Sequence, residues 1–409
     1  MGTGDAFTAV NPPRAARLAV TTIFFVNGAM LTNWFSRLPA VRDDLDLSEG
    51  QLGVALLGTA VGALLAQTLT GVLLPRLGSR RIVIATALGF SAAMPALGLV
   101  GSLPALMATL VVFGGLNGAL DVAMNAEGVA VEEAYGRPIF IAFHGLWSVG
   151  GLTGALVGAE AAGRGLDRLP HFLAVAAVGG AAFAVACRSL LPTVPTPAGG
   201  GAAFARPSRA LLGLAVVAFC VVMSEGAVAD WSTIYLGDEV GAGARAAGWG
   251  LAAFSLLMAL GRLTGDRLNA RFGPVALVRL GGVAAALGMG LALAAPGVGV
   301  ALVGFGLIGA GLSVVFPLAL SAAGRTTAMP AGRALAAVAT SGYVGFMIGP
   351  PVIGFGAEAV GLRGSLGVVV LLGLAATALA GTVGHGLPAR NAAGVGSAAR
   401  EEPASIVGA

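Results

Sequence analysis

The sequence predicts an all-α protein that crosses a membrane twelve times, in two halves of six helices. Three observations support this fold class. Hydrophobic residues make up 57% of the 409 residues and charged residues only 10%, whereas about 25% of the residues of soluble domains are charged. The mean hydropathy is +0.90 over the whole chain. Twelve apolar stretches are each long enough to cross a hydrocarbon core of about 30 Å.

The predicted spans are separated by short loops, except in the middle of the chain. They cover residues 18–35, 51–74, 82–100, 104–131, 139–161, 170–190, 211–235, 248–263, 275–295, 298–320, 334–357 and 366–383. The segment PTVPTPAGGGAAFARPSR between spans six and seven is rich in proline and glycine, which is typical of a linker. The predicted domains are an N-terminal tail (1–17), a six-helix half (18–191), a linker (192–210), a second six-helix half (211–386) and a C-terminal tail (387–409).

The arginine distribution predicts the orientation in the membrane. The chain has 23 basic residues, all of them arginine. If both termini are cytoplasmic, 17 of these arginines fall on the inner side and 6 on the outer side, in agreement with the positive-inside rule. Arg262 is counted on the inner side, so no arginine is expected at mid-depth. The sequence therefore predicts a multi-pass protein of the bacterial cytoplasmic (inner) membrane, with both termini in the cytoplasm.

Composition and spacing also argue against other classes of protein. The sequence pI near 9.8 could indicate nucleic-acid binding, but the arginines are scattered over short loops, so no nucleic-acid partner is expected. Cys187 and Cys220 lie in apolar runs and offer neither a disulfide framework nor metal-ligand spacing. The sequence has no GxxxxGK[ST] phosphate loop and no nucleophile–base constellation. We expect no enzyme activity, no cofactor and no metal.

The stretch from Leu110 to Gly154 contains the main candidate site. Asn117, Asp121 and Asn125 are spaced four residues apart, so they lie on one side of a helix. A carboxylate near the middle of a membrane-spanning helix costs about 2.5–3.5 kcal/mol on insertion scales. A polar cavity inside the helix bundle is the usual compensation for this cost. Asp121 is therefore the first candidate for proton coupling, and a structural carboxyl between helices is the alternative. Asn117 and Asn125 are substrate-cavity candidates, although amides also tie helices together.

Two further polar residues are proton-coupling candidates. Glu225 lies at an equivalent depth in span seven. His144 lies early in span five, where its imidazole could relay protons because it titrates near neutral pH; a hydrogen bond to a neighbouring carbonyl is the alternative role. The other substrate-cavity candidates are Asn27, Asn33, Trp147, Asp230, Trp231 and Ser313. The tryptophans could stack on a sugar ring, although interface anchoring explains Trp231 equally well.

The two halves resemble each other at an offset of roughly 190–198 residues. NGAMLTNW in span one corresponds to EGAVADW in span seven, and PRLGSR after span two corresponds to DRLNAR after span eight. Parallel repeats with a binding site near the membrane midplane are a recognised transporter architecture.

The segments GVLLPRLGSRR and GRLTGDRLNARFG resemble the G-x-x-x-D-R-x-G-R-R signature of the inner loops of the major facilitator superfamily. DVAMNAEG, FHGLWSVGGLTGA, ADWSTIYL and GYVGFMIGPPVIG look like the fucose-permease side of that superfamily, closest to bacterial inner-membrane proteins of the MosC and YbjJ type. The resemblance covers nearly the whole chain. It implies the major facilitator fold, with two six-helix halves.

In that family the signature loop holds the halves together when the transporter faces outward. The resemblance therefore implies a cytoplasmic latch formed by Asp266, Arg267 and Arg271, with Arg76, Arg80 and Arg81 as partial counterparts. This chain has Pro75 where the first copy of the signature has aspartate, and Arg262 where the second copy has its first glycine. Because a proline side chain cannot accept a hydrogen bond, we expect Asp266 to carry more of the latch.

These observations together predict a secondary active transporter that works by alternating access. The expected partners are a small polar solute, such as a sugar or sugar derivative, protons carried in symport, and the lipid bilayer; the expected state is a monomer. Proton-antiport efflux of an amphipathic drug or metabolite is the runner-up, and a cavity dominated by Met and Phe would favour it. A membrane sensor that binds a solute without moving it is the alternative of another class.

Overall fold

The computed structural model describes residues 13–136, 139–192, 207–294 and 297–384. Within these ranges the chain is helical apart from short connections and has no β-strand, which confirms the predicted all-α class. Outside the described residues lie most of the predicted linker, most of the predicted N-terminal tail, the whole predicted C-terminal tail, Arg137 and Arg206.

The described ranges contain fifteen α-helices. They are α1 (Arg14–Phe35), α2 (Leu38–Asp44), α3 (Glu49–Leu77), α4 (Ser79–Ala93), α5 (Ala96–Leu99), α6 (Leu103–Tyr135), α7 (Phe140–Gly163), α8 (Arg168–Ala186), α9 (Leu212–Asp238), α10 (Ala244–Phe272), α11 (Pro274–Ala294), α12 (Val298–Leu312), α13 (Val315–Gly324), α14 (Ala331–Leu366) and α15 (Val368–Ala378). Short 3₁₀ helices follow α8, precede α9 and end the described chain at Ala380–Gly384.

The twelve predicted spans all correspond to helical segments. Ten of these segments in the described part of the chain are long and apolar enough to cross a membrane. The other two are α7 and the segment 362–384, which comprises the end of α14, α15 and the last 3₁₀ helix. Gly361 has φ 77°, a conformation that glycine adopts readily, and it separates spans eleven and twelve. Span twelve therefore begins four residues before its predicted start at residue 366.

Prolines explain the interruptions in spans three and ten. Span three changes from α4 to α5 at Met94, next to Pro95. Span ten changes from α12 to α13 at Ser313 and Val314. Pro317 has no N–H to donate to the Ser313 carbonyl four residues earlier, and its ring crowds that carbonyl. Ser313 therefore lies where the regular helix of span ten is interrupted.

The internal repeat is visible in the helix boundaries. Helices α3 and α10 both have 29 residues, and each is followed by a glycine of positive φ, Gly78 (78°) or Gly273 (77°). Helices α3 and α10, α4 and α11, and α6 and α12 begin 195 residues apart. The first signature segment (71–81) covers the last turns of α3, Gly78 and the start of α4, and the second (261–273) covers the last turns of α10 and Gly273. A single glycine suffices to connect each pair of helices.

The alternation of helix directions defines two ends of the bundle. We call the end that contains Gly78, Gly273 and residues 192 and 207 the linker end, and the opposite end the far end. In the predicted orientation the linker end faces the cytoplasm.

The two halves meet mainly through α3 with α14 and α7 with α10. Near the far end, Gly354 in α14 lies against the backbone of Glu49 and Gly50, and Gly248 in α10 lies against Ala159. A side chain at Gly354 would overlap the Glu49 carbonyl. The helices of opposite halves are therefore in backbone contact at this end.

Acidic residues near the linker end of α6 hold neighbouring elements in place. Glu127 is fully buried and accepts hydrogen bonds from Ser79 Oγ (2.5 Å) and Leu191 N (2.8 Å). Glu132 accepts hydrogen bonds from the N–H groups of Ile139 (2.7 Å) and Phe140 (2.6 Å), where a negative charge suits the N-terminus of α7. Both carboxylates serve packing within the first half.

Candidate functional site

A cavity of about 630 Å³ lies between the two halves. This volume is within the range of small-molecule sites, about 300–1,000 Å³. Recesses of about 390 Å³ and 160 Å³ adjoin it and share residues with it. The polar side chains that line the main cavity are Asp121, His144, Trp147, Glu225, Arg262, Asp266, Asn269, Ser313 and Tyr343.

The cavity extends to the linker end of the bundle. Asp266 and Asn269, from the last turns of α10, and Phe140, from the first turn of α7, belong to its wall. Asp266 is exposed. A solute could therefore enter between α7 and α10 from the linker end.

At the far end, a carboxylate of the second half forms hydrogen bonds with the first half. Glu358 in α14 accepts hydrogen bonds from Ser48 Oγ (2.5 Å) and Gly50 N (3.2 Å) at the start of α3. Ser48 also forms a capping box with Gln51. The N-terminus of a helix favours a negative charge, so Glu358 acts as an additional cap supplied by the other half.

Two ion pairs also cross between the halves at the far end. Arg42 in α2 binds Asp238 at the end of α9. Arg245 at the start of α10 binds Glu160 near the end of α7, with 2.9 Å between Nε and Oε2. Such exposed pairs each contribute little, about 0–1 kcal/mol, but all three contacts favour the same closed arrangement.

Asp121 lies near the middle of α6, eighteen residues from its start and fourteen from its end. Its side chain lines the main cavity and the 390 Å³ recess. The carboxylate accepts a hydrogen bond from Asn125 Nδ2 (3.1 Å), which also donates to the Asp121 carbonyl (2.7 Å). Among the described residues no cation pairs with this carboxylate.

A hydrogen-bonded network supports the wall beside Asp121. Asn27 in α1 donates to Asn117 Oδ1 in α6 (2.8 Å) and accepts from Trp147 Nε1 in α7 (2.8 Å). Asn117 lines the 390 Å³ recess, and Trp147 lines the main cavity. Asn27 is itself buried behind them. The network fixes the orientation of the indole ring that faces the cavity.

Arg262 lines the cavity, a position that the sequence did not predict for it. It lies ten residues before the end of α10, roughly 15 Å along the helix axis, and its guanidinium lines the cavity. Nη2 is 3.5 Å from Glu225 Oε2, and Nη1 donates to Ser148 Oγ in α7 (3.2 Å). The expectation of no arginine at mid-depth is therefore wrong, because α10 continues well beyond the predicted end of span eight. One feature of the sequence could have indicated this: Arg262 stands where the family signature has its first glycine.

Glu225 lies thirteen residues from each end of α9, at the predicted depth. His144 packs edge-on against Phe24 and Phe140, with centroid distances of 5.2 Å and 5.1 Å. Neither of its ring nitrogens has a hydrogen-bond partner among the described residues, so the alternative role, a bond to a carbonyl, is not seen. Ser313 lines the cavity at the break in span ten and donates to the Ala310 carbonyl (2.7 Å).

Other predicted cavity residues lie elsewhere in this structure. Asp230 and Trp231 are buried in the second half and line neither the cavity nor its recesses. At 100° per residue, they are rotated by about 140° and 120° from Glu225 on the same helix. Asn33 is buried away from the cavity and pairs with His171 Nε2 in α8 (3.0 Å). Asn125 contacts the cavity only through Asp121.

The predicted latch residues of the second half have no partners at the linker end. Asp266, Arg267 and Arg271 are exposed, and none forms a hydrogen bond or ion pair with another described residue; Arg271 packs on the ring of Phe272. In the first half, Arg76 and Arg81 are exposed at the end of α3 and the start of α4, with Arg80 beside them. The predicted latch residues of the second half are therefore exposed at the end where the cavity is open.

Two repeated halves around a central polar cavity define a polytopic membrane protein with the architecture of a transporter. The family model of the Major Facilitator Superfamily matches residues 214–406. An MFS-type transporter of Yersinia pestis is 34% identical over 376 residues, which are 92% of this chain and 97% of that protein. The membrane protein MosC of Rhizobium meliloti is 33% identical over 372 residues, 88% of each chain. A crystal structure of a nucleoside transporter NupG variant has the same fold, with a TM-score of 0.74, 13% identity, and 90% and 98% of the two chains covered.

The chain therefore belongs to the major facilitator superfamily. Its similarity to MosC confirms the predicted closeness to that group. The structural likeness to NupG concerns the fold alone.

Proposed function

We propose that this protein moves a small polar solute, such as a sugar or sugar derivative, across the bacterial inner membrane together with protons. One observation carries the proposal: an uncompensated carboxyl, Asp121, lines a central cavity that is closed at the far end and open at the linker end. A protein of this family that moves solutes must expose such a cavity to each side in turn. The two halves, 18–191 and 211–386, are proposed to move as the two bodies of this alternation.

Proton coupling at Asp121 follows from the cost of charge at its depth. A deprotonated carboxylate is costly in a closed, dry cavity, and protonation removes that cost. If the cavity closes most readily with Asp121 protonated and solute bound, one gradient drives the other. Glu225 and His144 line the same cavity and are further candidates for the proton path.

The composition of the cavity wall favours a polar solute that has a ring or another apolar face as the substrate. Charged and amide groups alternate with Phe24, Phe140 and Phe316, and Trp147 presents its indole. The aromatic share of the wall also supports the second candidate, proton-antiport efflux of an amphipathic compound. Both functions use the same alternation and differ in the direction of the proton-linked step.

The proposal is tested in two stages with the full-length protein. A library of sugars and metabolites is first screened for thermal stabilisation of the purified protein, because a ligand stabilises the folded state that binds it. Hits are then assayed in proteoliposomes for accumulation driven by a pH gradient. Accumulation with an acidic outside supports symport, and extrusion supports antiport.

Asp121→Asn is the decisive variant in that assay. The amide resembles the protonated carboxyl in size and polarity, so folding and binding should survive. We expect uphill accumulation to be abolished and exchange of solute already present on both sides to persist. Normal accumulation by Asp121→Asn would make Asp121 structural and would leave Glu225 as the carboxyl to test.

The proposed orientation has its own test. Single cysteines replacing Gly200 and Asp43 should react with impermeant reagents from the cytoplasm and the periplasm, respectively. Labelling of position 200 from the periplasm contradicts the proposed topology.

A further inference from the structure

Arg262 is a positive charge inside the cavity of a membrane-spanning bundle, where such a charge is costly. Its side chain is 22% exposed and that of Glu225 is 26% exposed. Both side chains therefore face the cavity and are not enclosed in the protein interior. The separation of 3.5 Å is longer than a good charge-assisted hydrogen bond, about 2.7–2.9 Å. The two side chains compensate each other's charge without close bonding.

The guanidinium also has unused hydrogen-bonding capacity. An arginine carries five N–H donors in a planar fork. One of them is taken by Ser148 Oγ, and another faces Glu225. Among the described residues no partner is present for the other three. A planar carboxylate with two oxygens matches such a fork.

We propose that Arg262 is the anchor for a carboxylate of the transported solute, and that Glu225 occupies this anchor while the cavity is empty. The inference rests on the proposed function and adds the substrate class: a small hydroxylated carboxylate, such as a sugar acid. Trp147 lies in the same wall and presents an aromatic face to the rest of the solute. The cavity volume of about 630 Å³ accommodates a molecule of this size.

Replacement of Glu225 by the solute carboxylate at Arg262 couples binding of the solute to uptake of a proton. When Glu225 is protonated, it no longer compensates the charge of Arg262, and the solute carboxylate takes its place. The charge of the Arg262 site is then the same before and after loading. The other titratable groups that face this pair are His144 from α7, Asp121 from α6, Asp266 from α10 and Tyr343 from α14. Carboxylate binding should therefore strengthen as the pH falls and Glu225 becomes protonated.

The test compares matched probes on the purified full-length protein. D-Glucuronate is paired with its methyl ester and benzoate with benzamide, and affinities are taken from the probe dependence of the thermal unfolding temperature. We expect Glu225→Gln to bind the two carboxylates at least tenfold more tightly than the wild type at pH 7.5, since the resident competitor has lost its charge. The wild type should approach the affinity of Glu225→Gln at acidic pH. The neutral partners should not distinguish the two proteins.

Removal of the anchor should abolish this preference. We expect the double variant Glu225→Gln/Arg262→Gln to bind the acids no better than their neutral partners. If that variant does not fold, Glu225→Gln/Arg262→Lys keeps the positive charge but loses the fork, and it should bind the acids about tenfold more weakly than Glu225→Gln. Thr153→Ala in the Glu225→Gln background is the control, because Thr153 bonds to the Val149 carbonyl within α7 and lines neither the cavity nor its recesses; we expect it to keep the preference.

Equal affinity of Glu225→Gln and either double variant for the acids would overturn the inference, as would equal binding of acids and neutral partners by Glu225→Gln. This failure is distinguishable from failure of the proposed function. Proton-driven accumulation of a neutral solute by the wild type would leave the proposed function intact while the carboxylate anchor failed. A carboxylate that binds at Arg262 but is never transported would contradict the proposed function and not the anchor.

Discussion

The two ends of the bundle differ although the same repeat builds both halves. At the far end, Glu358 caps a helix of the other half, two ion pairs cross between the halves, and Gly354 allows backbone contact. At the linker end, Asp266, Arg267 and Arg271 have no partner among the described residues. In this structure the described polar contacts between the halves at the helix ends therefore lie at the far end.

The charges at the two ends explain part of this difference. At the far end, acidic and basic groups of opposite halves face each other in pairs. At the linker end, the position equivalent to Asp266 at the 195-residue offset is Gly71, so the first half supplies no acid there. Asp266 is therefore the one acid of the predicted latch.

The largest expected effect comes from a side chain at the far-end backbone contact. Gly354→Val should destabilise the closed far end by about 1–3 kcal/mol, because the new side chain meets the Glu49 carbonyl. At the upper end of that range the open population increases roughly a hundredfold. The measurement is the rate at which a cysteine replacing Ala229, in the 160 Å³ recess, is modified from the far side.

Gly299→Val is the matched control for Gly354→Val. Gly299 lies at the start of α12, at the same end of the bundle, and a side chain there has no atom within 4 Å. It should leave the modification rate at the wild-type value. An equal rate in Gly354→Val and the wild type would show that the backbone contact does not hold the far end closed.

A smaller effect is expected for the helix cap. Glu358→Ala leaves Ser48 Oγ and Gly50 N without their partner in the other half. We expect it to favour opening of the far end by about 0.5–1.5 kcal/mol, a modest amount because the site is exposed. Glu239→Ala is the control, since Glu239 pairs with Arg363 within its own half (3.6 Å). Equal modification rates in the two variants would exclude Glu358 as a tie between the halves.

The smallest of these effects is expected at the linker end. Asp266 has no partner in the present state, so Asp266→Asn should leave that state unchanged and destabilise only the state in which the linker end is closed. We expect a shift of about 0.3–1 kcal/mol toward the linker-open state, within the range of exposed charge contacts. Spin-label distances across the linker end measure it, with Glu133→Gln, an exposed acid at the same end, as the control. An unchanged distance distribution contradicts the latch role.

Most of the fold could be predicted from the sequence because long apolar stretches have few alternatives in a membrane. The twelve spans and the 195-residue repeat needed no tertiary information. The exception was the length of α10: its last turns are polar, so span eight was predicted to end at residue 263 and Arg262 was placed at the inner end of that span. Helix extension beyond an apolar stretch is decided by packing, which hydropathy does not measure.

Six of the predicted residues line the cavity or its 390 Å³ recess: Asn117, Asp121, His144, Trp147, Glu225 and Ser313. Asp121, Asn117 and Glu225 lie in the cavity wall because each faces the same side as its neighbours on one helix. Trp231 and Asn33 were placed in the wall on residue type, and rotation about the helix axis turns them into the protein. Rotation depends on contacts between helices, which a single sequence does not contain.

Paired distances at both ends of one protein test alternating access most directly. Spin labels replacing Asp46 and Ala244 report the far end, and labels replacing Leu77 and Phe272, which occupy equivalent positions of the repeat, report the linker end. In the wild type we expect a short far-end distance and a long linker-end distance. In Glu358→Ala the far-end pair should move apart in the same fraction of molecules in which the linker-end pair approaches. Movement at one end without the opposite movement at the other would contradict alternating access in this protein.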